Sequence, residues 1–467
     1  MAAPMAPGVA SGSWGIAYTF NCYGRAMRWL VVVALAGCGS DPEPSCHGAP
    51  ETCRASCGYG AGDLASATAA DVAPRDIPID HIVLVMQENR TFDHYFSSLV
   101  VPGQTVDGAA PTLTNPDPAH PGGTVSRFHQ TALCFSNPAE SWDQVHRELD
   151  GGALDGFAAE SALEDPTDPS GARAMGYYDE TDLPYYYALA RAFAISDRHF
   201  SSVLANSWTN RLYYMAGTSY GVTTNVVPKQ TDDAGNPLPN LFTRLDDAKI
   251  TWGYYVQDVP SIEILTDTWA KRIAHIQPFE QFFGDAAAGL LPQVTFVEGT
   301  DMKGGISPDE DPPADIEVGQ AMVADIVDAV MRSPHWPHAA MFLSYDEQGG
   351  LYDHVVPPSA CAPDDTPPML GPGGFVAPYD QLGLRIPLFA ISPYAKRGYV
   401  SHAVTDHTSL LRFVEAKFGL PALTHRDANA VPPYDLFDFE HPDLSIPPLP
   451  AATIDPAKRD ACAAKFP

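Results

Sequence analysis

The chain is 467 residues long and 45% hydrophobic, enough apolar material to bury a large core and too much for a disordered polymer. Its 57 Asp and Glu against 27 Lys and Arg leave a formal net charge of -30. A surface of that sign repels nucleic acid and anionic headgroups, which excludes a non-specific polyanion binder; a phosphate ester would have to be attracted locally, by a metal ion or a few cationic side chains.

Taken from the N-terminus, Arg25 and Arg28 precede a short apolar run from Trp29 to Gly37. The run falls far short of the ~20 residues a membrane span needs, and a basic start before a short apolar stretch predicts a secretory signal. It ends Leu35-Ala36-Gly37-Cys38, which looks like the lipobox of bacterial lipoproteins, where the cysteine carries lipid and becomes the new N-terminus. A short buried helix with an incidental cysteine is the alternative. Residues 1–38 are therefore expected to be an upstream extension plus a lipoprotein signal peptide. The protein is expected to be exported, anchored to the outer membrane or cell envelope through Cys38. Apart from Cys22 and Cys38, the chain holds Cys46, Cys53, Cys57, Cys134, Cys361 and Cys462, an even set that an oxidising compartment would pair. A zinc knuckle of Cys46, Cys53 and Cys57 with His47 is weaker, because paired Cys-x-x-Cys spacing is missing; disulfides tying down the N-terminal tail are favoured. Residues 39–78, rich in Pro, Ala, Gly and Asp and without apolar periodicity, read as a tether.

From Ile79 the pattern changes. His81 to Gln87 (HIVLVMQ) is a continuous apolar run of the kind that is buried on both faces of a sheet. Similar runs surround Val294 to Val297, lead up to Glu347, and extend from Ile386 to Ser392. Between them, Met322, Val323, Ile326, Val327 and Val330 recur at helical spacing, as do Leu410, Leu411, Val414 and Phe418 after Asp406-His407-Thr408, with Gly419 as the stop. Buried strands alternating with amphipathic helices predict an α/β sandwich with a mostly parallel sheet, formed as one domain over 79–467.

In such sheets ligands bind beyond the carboxyl ends of the strands. Two of the apolar runs end there in oxygen ligands, one in Glu88-Asn89 and the other in Asp346-Glu347, the donor chemistry of a hard divalent cation. An ordinary polar strand exit explains either pair alone; two together favour a site.

The blocks HIVLVMQENRTFDHYF, MGYYDETDLPYYYALARAFAISDRHF, NSWTNRLYYMAGTS, YDEQGGLYDHVVPP and GLRIPLFAISPYAKRGYVSHAVTDHTSLLRFVE occur in this order. They resemble the signature blocks of the bacterial phosphoesterase family of acid phosphatases and non-specific phospholipases C, related to alkaline phosphatases. The resemblance runs from Ile79 to Phe439. It implies an alkaline-phosphatase-like α/β/α sandwich and a divalent metal cation held by Glu88, Asn89, Asp346 and Glu347. It places the nucleophile at Ser207, three before Asn210, with Asn210 and Arg211 completing a substrate-binding block; Thr209 is the fallback if the register slips, and for Arg211 a buried structural role is open equally with pairing to a phosphate oxygen. His146, His354 and His407 match histidine-bearing blocks, as acids for the leaving alkoxide, and Asp311 matches a phosphate-site position. The chemistry is coherent, since a bound cation activates a hydroxyl and a histidine can protonate the departing oxygen.

Three residues depart from the family pattern. Asp311 and Glu140 stand where histidines are usual, and Thr209 replaces a proline. The two acids imply a changed metal load, weaker substrate binding or lost activity. The expected reaction is phosphomonoester hydrolysis through a phosphoseryl intermediate. The alternatives are a phospholipase C acting on phosphorylcholine-type lipids and a catalytically inactive surface protein. For a lipid headgroup, Tyr177, Tyr178, Tyr185, Tyr186, Tyr187 and Trp208 offer an aromatic rim, although core packing is the commoner fate of such residues.

Overall fold

The computed structural model describes residues 56–64, 72–232, 234–300 and 304–466. Cys38, the signal preceding it, Cys46 and Cys53 lie outside the described residues. The central sheet has eight strands: β1 (His81–Gln87), β2 (Ala194–Ser196), β3 (Trp252–Val256), β4 (Ile276–Pro278), β5 (Val294–Glu298), β6 (Ala339–Tyr345), β7 (Leu388–Ile391) and β8 (Tyr399–Ser401). Their order across the sheet is β8-β2-β7-β6-β1-β5-β3-β4. Only β7, among these eight, runs against the rest, being antiparallel to both β6 and β2. The fold is α/β with a mostly parallel sheet, as the apolar runs predict. Every residue of β6 is buried, as is β1 after His81, because helices cover both faces of the central strands.

The helices used below are α1 (Phe92–Phe96), α2 (Trp142–Leu149), α3 (Pro184–Ala192), α4 (Ser207–Ala216), α5 (Ile316–Arg332), α6 (His407–Phe418) and α7 (Pro456–Lys465). Helix α5 is the crossover from β5 to β6, strands that flank β1 on either side. It starts where the Asp315 carboxylate caps the Glu317 N–H, and it buries Ile316, Val323, Ile326, Val327 and Val330. Each such side chain contributes roughly 1.5–3 kcal/mol by leaving water. Helix α6 begins at a capping box between Asp406 and Ser409 and stops at Gly419, whose φ of 64° is the left-handed conformation that glycine adopts without strain. Tyr178, Tyr185, Tyr186 and Tyr187 are core residues, so the aromatic rim expected of them is taken up by packing. Trp208 flanks a cavity beside Glu88 and Arg211.

The described part of the expected tether is fastened to the domain. Gly62 N–H donates to the Ala422 carbonyl at 2.9 Å, Tyr59 is buried with Ala422 and Ala428, and Cys57 is bonded to Cys361. That disulfide removes Cys57 from the zinc alternative. A second bridge, Cys134–Cys462, ties α7 back to the segment ahead of α2.

Candidate active site

Strands β1 and β6 are hydrogen-bonded neighbours in a register that sets Gln87 opposite Tyr345. The dipeptides that follow them, Glu88-Asn89 and Asp346-Glu347, therefore emerge side by side. Asn89 turns with φ 61°, a conformation in which Asn is among the better-tolerated residues, and its N–H donates to Asp346 Oδ1 at 3.3 Å. Past Glu347 the chain bends through Gly349 and Gly350, both with positive φ. A Cβ on Gly350 would lie 1.9 Å from the Ala139 carbonyl oxygen, so only glycine lets this bend slide under the strand exit and bring Glu140 to it.

Arg211, from α4, is ion-paired with three carboxylates: Glu88 at 2.6 Å, Glu298 at 2.8 Å and Asp346 at 3.1 Å. These acids belong to the ends of β1, β5 and β6. Ser261 Oγ completes the set at 2.7 Å from the guanidinium. Of the two roles open to Arg211, phosphate pairing and structural support, the geometry favours the second: its planar fork is engaged by the three strand ends, which its five donors fit. Glu88, expected as a metal ligand, is neutralised by the same guanidinium. Glu298 was missed, although VTFVE ends in an acid just as the other two runs do.

A second acidic group surrounds Asn89. Its Nδ2 donates to Asp311 Oδ1 at 2.5 Å and to Glu140 Oε2 at 3.2 Å. Burial, reinforced by the charge of Asp346 and opposed by a hydrogen bond from Asn137, pushes the Glu140 carboxyl up to about 7. Burial and then the Glu140 charge hold Asp311 well above the usual carboxylate range. Glu347 is raised for the same reasons, burial first, then Glu140 and Asp346. Its Oε2 accepts the Gly349 N–H at 2.8 Å, while the buried Oε1 accepts no hydrogen bond among the described residues. Two half-buried carboxylates on one amide, with buried Glu347 next to Asp346 in the chain and one of its oxygens unsatisfied, are oxygen donors of the kind a hard divalent cation takes.

The loop that carries Asp311 is fixed by its neighbour. Buried Glu310 accepts from Tyr95 at 2.8 Å, from Tyr345 at 2.8 Å, from Gln87 at 3.3 Å and from Tyr186. Its carbonyl accepts from Arg90. Nothing in the sequence pattern pointed to this tyrosine cage, because its members come from four separate segments.

Ser207 is the first residue of α4, with Asn206 as the cap, and its Oγ lies 3.5 Å from Asn89 Oδ1. Helix N-termini favour negative charge, which suits a phosphoryl group at this hydroxyl. Thr209 is fully buried and its hydroxyl donates to Asn206 Oδ1 at 3.3 Å, so it serves the cap. Asn210 does not present its amide to a ligand. Oδ1 accepts from the Val203 N–H at 3.1 Å and Nδ2 donates to the Ala205 carbonyl at 2.8 Å, which staples the 203–206 loop to α4.

The three histidines also have other employment, and no hydrogen bond joins any of them to Ser207 among the described residues. His146 Nδ1 donates to the Trp142 carbonyl at 2.7 Å, its ring lies against Trp142 and Phe375, and burial lowers its pKa. His407 Nε2 meets the Tyr345 carbonyl at 2.9 Å just ahead of Asp346, and burial lowers its pKa as well. His354 stands between Asp93 at 2.6 Å and Asp107 at 3.2 Å. Burial lowers its pKa, but the hydrogen bond and charge of Asp93 outweigh that and raise it. Asp93, Asp353 and His354 lie close enough together for a metal. The fully buried Arg385, 3.1 Å from Asp93 and 2.9 Å from Asp353, already supplies the cation there.

Beside Glu88 and Arg211 opens a cavity of about 220 Å³ walled by Trp208, Val227, Val259 and Ile264.

A helix that starts at a serine hydroxyl and faces paired acidic strand exits is an arrangement suited to phosphoryl transfer, and comparison with known proteins gives the family. The chain belongs to the phosphoesterase family, whose profile matches residues 79–421. It is 30% identical over 376 residues to non-specific phospholipase C1 of Arabidopsis thaliana, covering 75% of this chain and 69% of the relative. It is 30% identical over 424 residues to phospholipase C B of Mycobacterium tuberculosis, covering 78% of each. The solved structure of an alkaline phosphatase superfamily protein from Vibrio parahaemolyticus matches with 9% identity and a TM-score of 0.32, over 71% of this chain and 74% of that one, too remote to carry an argument. The chain is a hydrolase of phosphoric ester bonds.

Two outcomes are expected from this geometry. Arg211→Met leaves three carboxylates, those of Glu298 and Asp346 buried, without their partner and lowers stability by about 3–5 kcal/mol, measured as a shift in the urea midpoint. The second concerns pH. Folded Glu140 keeps its proton to about 7, against 4.5 for an ordinary Glu, so the folded state binds more protons in that window. Cation-free protein therefore loses stability as pH rises across it. Melting of chelator-treated protein at the two ends of the window checks this, and Glu140→Gln should flatten the decline.

Proposed function

We propose that this phosphoesterase cleaves its substrates by attack of Ser207 Oγ on phosphorus, with a divalent cation in the site. The observation that carries the reading is the position of Ser207, at the N-terminus of α4 and within reach of Asn89 in the acidic group. The new bond is Oγ–P, and the bond that breaks joins phosphorus to the leaving oxygen, which departs as an alcohol after taking a proton. Water then cleaves the phosphoseryl group and restores the serine. A bound cation would supply charge for the phosphoryl oxygens and lower the pKa of the attacking hydroxyl. Asn89, Asp346 and Glu347 are the residues to hold it. The chain's own part is to orient: Asn206 and Asn210 fix the turn that presents Ser207, and His407 props the strand end that leads into Asp346.

A phosphomonoester is the simplest substrate. A second reading, a phospholipase C, is favoured by the cavity flanked by Trp208, Val227, Val259 and Ile264, an apolar space suited to part of a lipid, and by the names of the relatives. The net charge of -30 makes nucleic acid a poor substrate.

The test is hydrolysis of p-nitrophenyl phosphate and p-nitrophenylphosphorylcholine side by side. Ser207→Ala should lower kcat on the order of a thousandfold or more, and chelation followed by divalent cation should abolish and restore turnover. Acid quench and mass spectrometry should find phosphate on Ser207. Equal inactivity of wild type and variant on both substrates would leave an inactive surface protein as the better account.

We also propose that the protein is exported and lipid-anchored through Cys38, a reading supported by the lipobox-like sequence and by two disulfides of the kind that persist in oxidising compartments. Mass spectrometry of the mature N-terminus checks it. An unmodified chain beginning ahead of Cys38 would sink the idea.

A further inference from the structure

We propose that two loops beside Ser207 form a docking face for the surface of a zwitterionic lipid bilayer. The inference goes beyond the reaction proposed above and rests on that reading only for the place of Ser207. One loop is 219–231 and the other is 366–379. Neither contains an Asp or a Glu, in a chain whose 57 acids among 467 residues put one at about every eighth position. The first loop carries a single Lys, Lys229, and the second carries no Lys or Arg either.

The two loops are bonded into one surface. Met369 N–H donates to the Gly221 carbonyl at 2.7 Å, Thr223 Oγ1 donates to the Met369 carbonyl at 3.0 Å, and the Tyr379 hydroxyl donates to the Val222 carbonyl at 2.9 Å. Each loop is also tied to the site. Asn225 Oδ1 accepts the N–H of Trp208, the residue after Ser207, at 3.0 Å. The Phe375 carbonyl accepts from Trp142 Nε1, two residues after Glu140, at 2.9 Å. What this surface shows to water is apolar: Val376 is 85% exposed, and Val226, Val227, Met369 and Phe375 are exposed with it. Val259, also exposed, joins Val227 in walling the cavity beside Glu88 and Arg211. Single exposed apolar side chains are ordinary on a soluble protein, but five on two bonded loops around one site mark an interaction surface.

Charge selects the occupant. A second copy of this chain would bring another net charge of -30, and an anionic bilayer would repel the protein in the same way. A zwitterionic bilayer presents no net charge, and its interface takes up valine, methionine and phenylalanine side chains with a gain that follows the apolar area buried. Val227 belongs both to the docking face and to the cavity wall, so an apolar chain leaving the bilayer there would stay out of water on its way toward the strand exits.

The experiment is flotation of the full chain with phosphatidylcholine vesicles, carried out on Cys38→Ser protein so that no lipid on that cysteine contributes. The protein should float with the vesicles. Adding Val226→Asp and Val376→Asp should weaken binding about a hundredfold, since each valine withdrawn from lipid is worth about tenfold. The melting temperature should hold, because both side chains are exposed. Leu290→Asp is the control: Leu290 is exposed ahead of the first residue of β5, whereas the site lies beyond the last, so binding should be unaltered. Failure to float with neutral vesicles, binding unchanged by the two aspartates, or an equal loss in Leu290→Asp overturns the proposal. A dimer seen by sedimentation that the two aspartates dissociate also overturns it and gives the face to a second copy. Should the paired change lower the melting temperature, Val376→Asp alone decides, with a loss of about tenfold expected and unchanged binding overturning the proposal. Turnover of soluble p-nitrophenyl phosphate should be equal in all these proteins. Its absence from every one of them counts against the hydrolytic reading, while flotation judges the docking face.

Discussion

The Arg211 guanidinium is the constraint on which the architecture around the site depends. Three neighbouring strands, β6, β1 and β5, end in acids within a few ångströms of one another, an arrangement that self-repulsion would open. One planar cation closes it, and because Arg211 belongs to α4, the same contact fixes the helix that starts at Ser207. The sheet, the proposed nucleophile and the acidic strand exits are thus held in one frame by a single side chain. The sequence alone left open whether Arg211 pairs with a phosphate oxygen or is a buried structural residue. An Arg four positions after a nucleophile reads as a phosphate ligand, and only the fold shows that three carboxylates arrive first.

What the sequence made legible follows from how local each signal is. Strands β1, β5 and β6 are unbroken apolar runs, so their burial could be read directly, as could the ends of α6 from Asp406 and Gly419. The metal-ligand candidates could be read as strand exits. Strands β2 and β8 have three residues each and owe their existence to pairing with partners far away in sequence, which leaves no periodicity to read. The direction of β7 was equally hidden, since IPLFAIS is apolar whichever way it runs.

The individual side chains of the site divide in the same way. Their types were evident, but their partners were not. Asn210, His146 and His407 each sit in a family-like block; Asn210 bonds nearby backbone through both polar atoms, and His146 and His407 each bond a backbone carbonyl through one ring nitrogen. Glu140 and Asp311 stood out as departures from the pattern, yet their meeting on Asn89 is a long-range fact, separated by 171 positions from each other in the chain and brought about by the Gly350 bend on one side and the Glu310 tyrosine cage on the other. A departure from a family motif marks a position; the contact it makes decides whether it removes chemistry or supplies it.

The C-terminal helix bears on the same centre from outside. Gly305 N–H donates to the Phe466 carbonyl at 2.8 Å, Gly305 packs against the backbone of Cys462, and the Cys134–Cys462 bridge fastens α7 there. Gly305 in turn accepts from the Asp315 N–H, so the segment carrying Asp309, Glu310 and Asp311 is braced by α7 and Phe466. For anyone immobilising or displaying this enzyme, α7 is accordingly a poor attachment point: a load applied to it passes through two backbone bonds toward the loop that presents Asp311 and through the disulfide toward the segment ahead of Glu140.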